Sequence, residues 1–147
     1  MTTPTFLVRL MSYTGLARTA RLTAEDEMAI GFANDLRKAV LEGRLRAVFC
    51  HPANELAGFV TMKGGKVRVP VQIAIARALG LITGTADYLF LWNGGCCALE
   101  AKSETGGLRL AQRDFRDWCK LNGVPYHVFR SAEEGLSILR GYGVLEG

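Results

Sequence analysis

The chain has 147 residues, 49% of them hydrophobic and 22% charged, a balance that suits one globular domain with its own core and excludes a disordered or low-complexity chain. Its net charge of +4 is a mild basic bias, compatible with a polyanionic partner without selecting one. No apolar run approaches the roughly 18 residues of a membrane span, and the opening MTTPTFLVRLMSYTG lacks the basic and apolar blocks of a signal peptide.

Residues 1–22 read as an N-terminal arm, in which Phe6, Leu7 and Val8 can begin a strand or pack on a partner. Thr23 then caps a helix, with Asp26 three residues on, close to a capping box. Met28 or Ala29, Phe32, Leu36 and Val40 follow at helical spacing, and Gly43 ends the run. Residues 46–51 read as a short buried strand, and His51 to Asn54 as a loop. Lys63-Gly64-Gly65-Lys66 is a basic turn, and residues 71–81 a short helix. Residues 87–92 have strand composition, Asn93-Gly94 is a hairpin turn, and residues 96–102 are the return strand. Residues 108–122 form an amphipathic helix closed by Asn122-Gly123. Residues 126–130 are a last strand, and Ser131 with Glu134 starts a final helix. Helices alternating with strands in this way predict an α/β fold, a mixed sheet with helices packed on it. Cys50, Cys96, Cys97 and Cys119 form no CxxC pair and lie in apolar stretches. Buried free thiols, no zinc site and a reducing, cytoplasmic setting are expected.

The hairpin carries the chemistry. If Asn93-Gly94 forms a two-residue turn, Trp92 pairs with Gly95 and Asp87 falls opposite Glu100. If Gly94-Gly95 turns instead, Asp87 falls opposite Lys102. Either register brings the three side chains within reach, because Glu100 and Lys102 share one strand face and directly opposite Cβ atoms lie about 5 Å apart. Two carboxylates this close in an apolar setting repel unless a cation sits between them. A hard, oxygen-loving ion such as Mg²⁺ suits the set, and Lys102 can orient or deprotonate a water or neutralise a phosphate. A plain ion pair of Asp87 with Lys102 at a sheet end is the competing interpretation.

Gly84-Thr85-Ala86-Asp87-Tyr88-Leu89-Phe90-Leu91, then Leu99-Glu100-Ala101-Lys102, then Leu108-Arg109-Leu110-Ala111-Gln112-Arg113-Asp114-Phe115 together resemble the VRR-NUC domain, the virus-type replication-repair nuclease branch of the PD-(D/E)xK superfamily. The order of G-x-P-D, E-x-K and a helix opening with Gln before an aromatic is the pattern matched. Gly123, Tyr126-His127-Val128 and Ser131 follow in place, so the resemblance spans roughly residues 23–141. Ala86 stands where the pattern has proline, a residue that shapes the strand entry and binds no metal. The resemblance implies a restriction-endonuclease-like core and Mg²⁺ or Mn²⁺ as cofactor. It implies metal ligation by Asp87, Glu100 and the Ala101 carbonyl, catalysis by Lys102, and support from Gln112. It also implies a glutamate from the first helix. Glu25 and Glu27 compete, and Glu25 is preferred because it shares a face with Ala29, Phe32 and Leu36. Glu55, in the loop after His51, is a possible further ligand or a solvated carboxylate; His51 itself suits a hydrogen-bonded strand end.

Arg109, Arg113, Arg116 and Lys120 recur at steps of four, three and four, one stripe along the helix beside an apolar face of Ala111, Phe115 and Trp118. Such a stripe neutralises backbone phosphates without reading sequence, or it is a solvated face balanced by Asp114 and Asp117. Lys63 and Lys66 flank a turn that either closes over nucleic acid or is an ordinary surface hairpin. The expectation is a single-domain, metal-dependent DNA endonuclease. Stand-alone relatives resemble Holliday-junction resolvases, which implies branched DNA, repair or recombination, and a homodimer suited to a two-fold substrate. The alternative is a catalytically silent DNA-binding or adaptor module of the same fold.

Overall fold

The computed structural model describes residues 21–52 and 61–147, with Thr5 and Arg9 ahead of them. The N-terminal arm expected over residues 1–22 therefore lies almost wholly outside the described residues, as do Asn54 and Glu55.

The first helix, α1 (Ala24–Leu41), starts where its capping box predicts: the Asp26 amide donates to Thr23 Oγ1 at 3.1 Å, and the Thr23 amide donates to Asp26 Oδ2 at 2.9 Å. It is followed by β1 (Val48–Cys50), then by a two-stranded ribbon of β2 (Thr61–Lys63) and β3 (Lys66–Arg68), and by α2 (Val71–Ala78). The central hairpin is β4 (Tyr88–Trp92) and β5 (Gly95–Ala101). The chain ends with α3 (Leu110–Leu121), β6 (Tyr126–Phe129) and α4 (Ala132–Gly141). The main sheet has the order β1-β4-β5-β6. The first two pairings are antiparallel and β5 with β6 is parallel, so α3 serves as the crossover that a parallel pair requires. This is a four-stranded mixed sheet flanked by helices.

Alternation along β4 and β5 divides the sheet into two packed faces. Tyr88, Phe90, Leu99 and Phe129 meet Phe32 and Leu36 of α1 and Leu139 of α4 in the main core. Gly135 brings α4 close, since a Cβ there would stand 2.7 Å from the Phe32 ring. Ala98, Leu89 and Tyr126 face the other way, against Phe115 and Cys119 of α3.

Two expectations change. The strand around residues 46–51 is not buried. As the outermost strand it turns Ala47 and Phe49 inward, leaving Val48 71% exposed and Cys50 exposed. Trp118, placed by spacing on the apolar face of its helix, is 53% exposed, its ring T-shaped to that of Phe115. Among the described residues, no helix is long and apolar enough to cross a membrane.

Candidate functional site

The turn at Asn93-Gly94 fixes the register of the hairpin. Trp92 pairs with Gly95 and Tyr88 with Leu99, so continuing one step sets Asp87 opposite Glu100 and eliminates the alternative turn at Gly94-Gly95. Gly94 takes a positive φ of 84° and Asn93 does not, so the turn is not the type I′ form that Asn-Gly favours and has its glycine where a type II turn needs one. Asp87 is introduced by a second turn, in which the Thr85 hydroxyl donates to the Ile82 carbonyl at 2.7 Å. Gly84 lies within that turn at φ 86°, and a Cβ there would stand 2.4 Å from the Ala111 backbone. The start of β4 is thereby locked against the start of α3.

Glu100 is fully buried and Lys102 nearly so. They form an ion pair of 2.8 Å, Lys102 Nζ to Glu100 Oε1. Glu25, from the first turn of α1, reaches the same ammonium at 3.5 Å and accepts from the Ser103 amide at 3.2 Å. Glu27 is exposed. One helical face sends Ala29, Phe32 and Leu36 into the core and Glu25 over the sheet end, so of the two competing glutamates Glu25 is the one beside Lys102. The Ala101 amide donates to Asp87 Oδ2 at 2.8 Å, and His51 uses Nδ1 on the Asp87 carbonyl, a strand-end role.

Gln112 joins this centre to α3. Its amide oxygen accepts from the Arg109 N–H at 2.9 Å and so caps the helix, while its nitrogen donates to Glu100 Oε1 in a short hydrogen bond. Both partners demand the same orientation of the amide. Arg130 secures the loop after β5, donating to the carbonyls of Ser103, Glu104 (3.2 Å) and Gly106 (2.9 Å).

Burial dominates the electrostatics. It pushes the Glu100 carboxyl up to about 7, with the charge of Asp87 adding to the rise and Lys102 opposing it. Asp87 is also raised, first by burial, against the Ala101 N–H, Lys102 and His51, which favour its charged form. A pair of carboxyls reluctant to ionise together is the state that a divalent cation relieves.

The donor set fits a hard cation on one further observation. Glu100 Oε1 carries both Lys102 and Gln112, whereas Oε2 is buried and has no hydrogen-bond partner. Among the described residues, no group of three or more His, Cys, Asp or Glu is gathered to hold a metal. Sites in which one or two carboxylates hold Mg²⁺ with water and phosphate oxygens are smaller than such a group.

Of the basic stripe, Arg109, Arg113 and Lys120 are exposed. Arg116 is instead held by Asp117, at 2.9 and 2.8 Å, which neutralises it locally. Lys63 and Lys66 are exposed and face each other across the β2–β3 turn, in a ribbon separate from the main sheet. In the sequence Tyr126 reads only as a residue of the last strand, with no site role. The parallel register of Ala98 with Tyr126 puts its ring on the face of Glu100, and that register depends on a crossover that no local pattern encodes. The chain matches no family model, no curated protein and no solved structure.

Proposed function

We propose that this chain is a divalent-metal-dependent endodeoxyribonuclease built on a restriction-endonuclease-like core, of the VRR-NUC kind. The supporting observation is the buried Glu100 opposite Asp87, with one oxygen engaged by Lys102 and Gln112 and the other without a partner. Asp87, Glu100 and the Ala101 carbonyl would hold Mg²⁺ or Mn²⁺, and Glu55 is a further candidate ligand. The ion would supply Lewis-acid charge to the phosphate and acidify a water. In the hydrolysis itself, the water oxygen bonds to phosphorus, a P–O ester bond breaks, and the leaving oxygen takes a proton.

Lys102 is held by two carboxylates at one strand end. It positions the attacking water and balances charge that develops on the phosphate. Glu25 fixes the lysine and ties it to the Ser103 amide. Gln112 presents Glu100 and excludes its rotation. Arg109, Arg113 and Lys120 would receive backbone phosphates, with Arg116 joining if it releases Asp117. Lys63 and Lys66 set two like charges opposite each other, a repulsion that a polyanion relieves. Branched DNA as the preferred substrate, with a homodimer to engage it, rests on the resemblance alone.

A cleavage panel of single strands, duplexes, flaps and four-way junctions with Mg²⁺ or Mn²⁺ tests the proposal. Cutting is expected for the wild type, with a loss of at least about 100-fold for Lys102→Ala and for Asp87→Ala. The 2.8 Å pair of Glu100 with Lys102 also favours a second reading, a structural ion pair in a DNA-binding module without catalysis. That reading predicts DNA binding and no cleavage in either metal.

A further inference from the structure

Two buried side-chain polar atoms among the described residues have no hydrogen-bond partner, Glu100 Oε2 and the Tyr126 hydroxyl. Leaving a buried polar atom unpaired is costly, so two on one sheet face call for a cause. They are chemically complementary, an acceptor and a donor. They are also neighbours: Tyr126 pairs with Ala98, two residues before Glu100 on the same face of β5. The ring is held in place by Phe115, 6.4 Å away edge to face, and by the β5–β6 register. Its body is ordinary core; only its hydroxyl lacks a structural explanation.

We infer that Tyr126 is a positioning residue of the carboxylate centre, its hydroxyl donating to the Glu100 oxygen that takes the cation. This rests on the metal-nuclease reading. Each carboxylate oxygen has two acceptor directions. Oε1 spends its own on Lys102 and Gln112. Oε2 has one for the phenol and one for the ion. With Oε1 held by Lys102 and Gln112, the phenol sets the direction in which Oε2 presents its remaining lone pair. Hydrogen bonds to ligating carboxylates of this kind tune metal affinity by 10- to 100-fold.

The test is Tyr126→Phe in the full chain, read by Mn²⁺ binding (electron spin resonance of the free ion) and by metal-free melting temperature. Mn²⁺ affinity is expected to fall about 10-fold. The metal-free melting temperature is expected to hold or fall slightly, because buried Glu100 Oε2 loses the phenol as its donor. Val124→Ala, on the same packed face, is the packing control; it lowers melting and leaves Mn²⁺ affinity unchanged. Equal Mn²⁺ affinity in wild type and Tyr126→Phe, with or without a lower melting temperature, overturns the role of the phenol while leaving the metal centre standing. A wild type that binds no Mn²⁺ overturns both together.

Discussion

Replacing Glu100 with glutamine removes a charge from the interior while keeping the side chain's shape. Its carboxyl is raised from an ordinary 4.5 to about 7, chiefly by burial. In the folded protein it therefore holds its proton up to about pH 7, whereas in the unfolded chain it releases it near 4.5. The folded state binds more protons across that window, so stability falls as the pH rises through it, and the loss is complete above the upper value. At about 1.4 kcal/mol for each tenfold change in proton affinity, the loss is about 3 kcal/mol. Glu100→Gln resembles the protonated form and escapes it. The opposing effect is that Lys102 loses its 2.8 Å partner, but Glu25 remains at 3.5 Å. Metal-free Glu100→Gln is thus expected to match the wild type at pH 4 and exceed it by about 3 kcal/mol at pH 8. For a chain near 150 residues that is a rise of about 6–12 °C in melting temperature. Circular-dichroism melts in chelator at pH 4, 6 and 8 measure it, and the difference between the two proteins cancels the titrating groups that do not interact with Glu100. A variant that melts at or below the wild type at pH 8 would refute the reasoning, because the ion pair with Lys102 would then outweigh the burial of the charge.

Three further outcomes follow from the same geometry. Gln112→Ala removes both a helix cap and the Glu100 contact; urea titration should show a loss of about 1–2 kcal/mol, and Mn²⁺ affinity should drop about 10-fold. Gly84→Ala combines a disfavoured φ with a clash on the Ala111 backbone, and should destabilise by more than about 1 kcal/mol in the same titration, whereas Gly107→Ala, with open space around its Cβ position, should be nearly neutral. Arg113→Ala and Lys120→Ala should each weaken DNA binding on all sequences and reduce the slope of log affinity against log salt by about 0.9. An unchanged slope would remove α3 from the DNA interface.

What was legible from sequence was local. The Thr23–Asp26 box marked the start of α1, and Asn93-Gly94 marked the hairpin and, by counting, the meeting of Asp87 with Glu100. Helical periodicity favoured Glu25 over Glu27, and the position of Glu25 beside Lys102 is read from the structure. What was hidden depended on strand order. Val48 and Cys50 look like core residues, and only the lateral position of β1 exposes them. Tyr126 reaches Glu100 through a parallel pairing set by the length and packing of α3. Arg116 fits the stripe by spacing, but Asp117 beside it claims its charge.

The two-headed bond of Gln112 has a mechanical consequence. Its amide connects the first turn of α3 to Glu100 without an intervening loop, so helix and carboxylate move as one body. Any polyanion that pulls on Arg109 or Arg113 pulls on the frame that holds Glu100. If a phosphate is gripped there, its offset from the carboxylate is fixed in part by the length of one glutamine side chain.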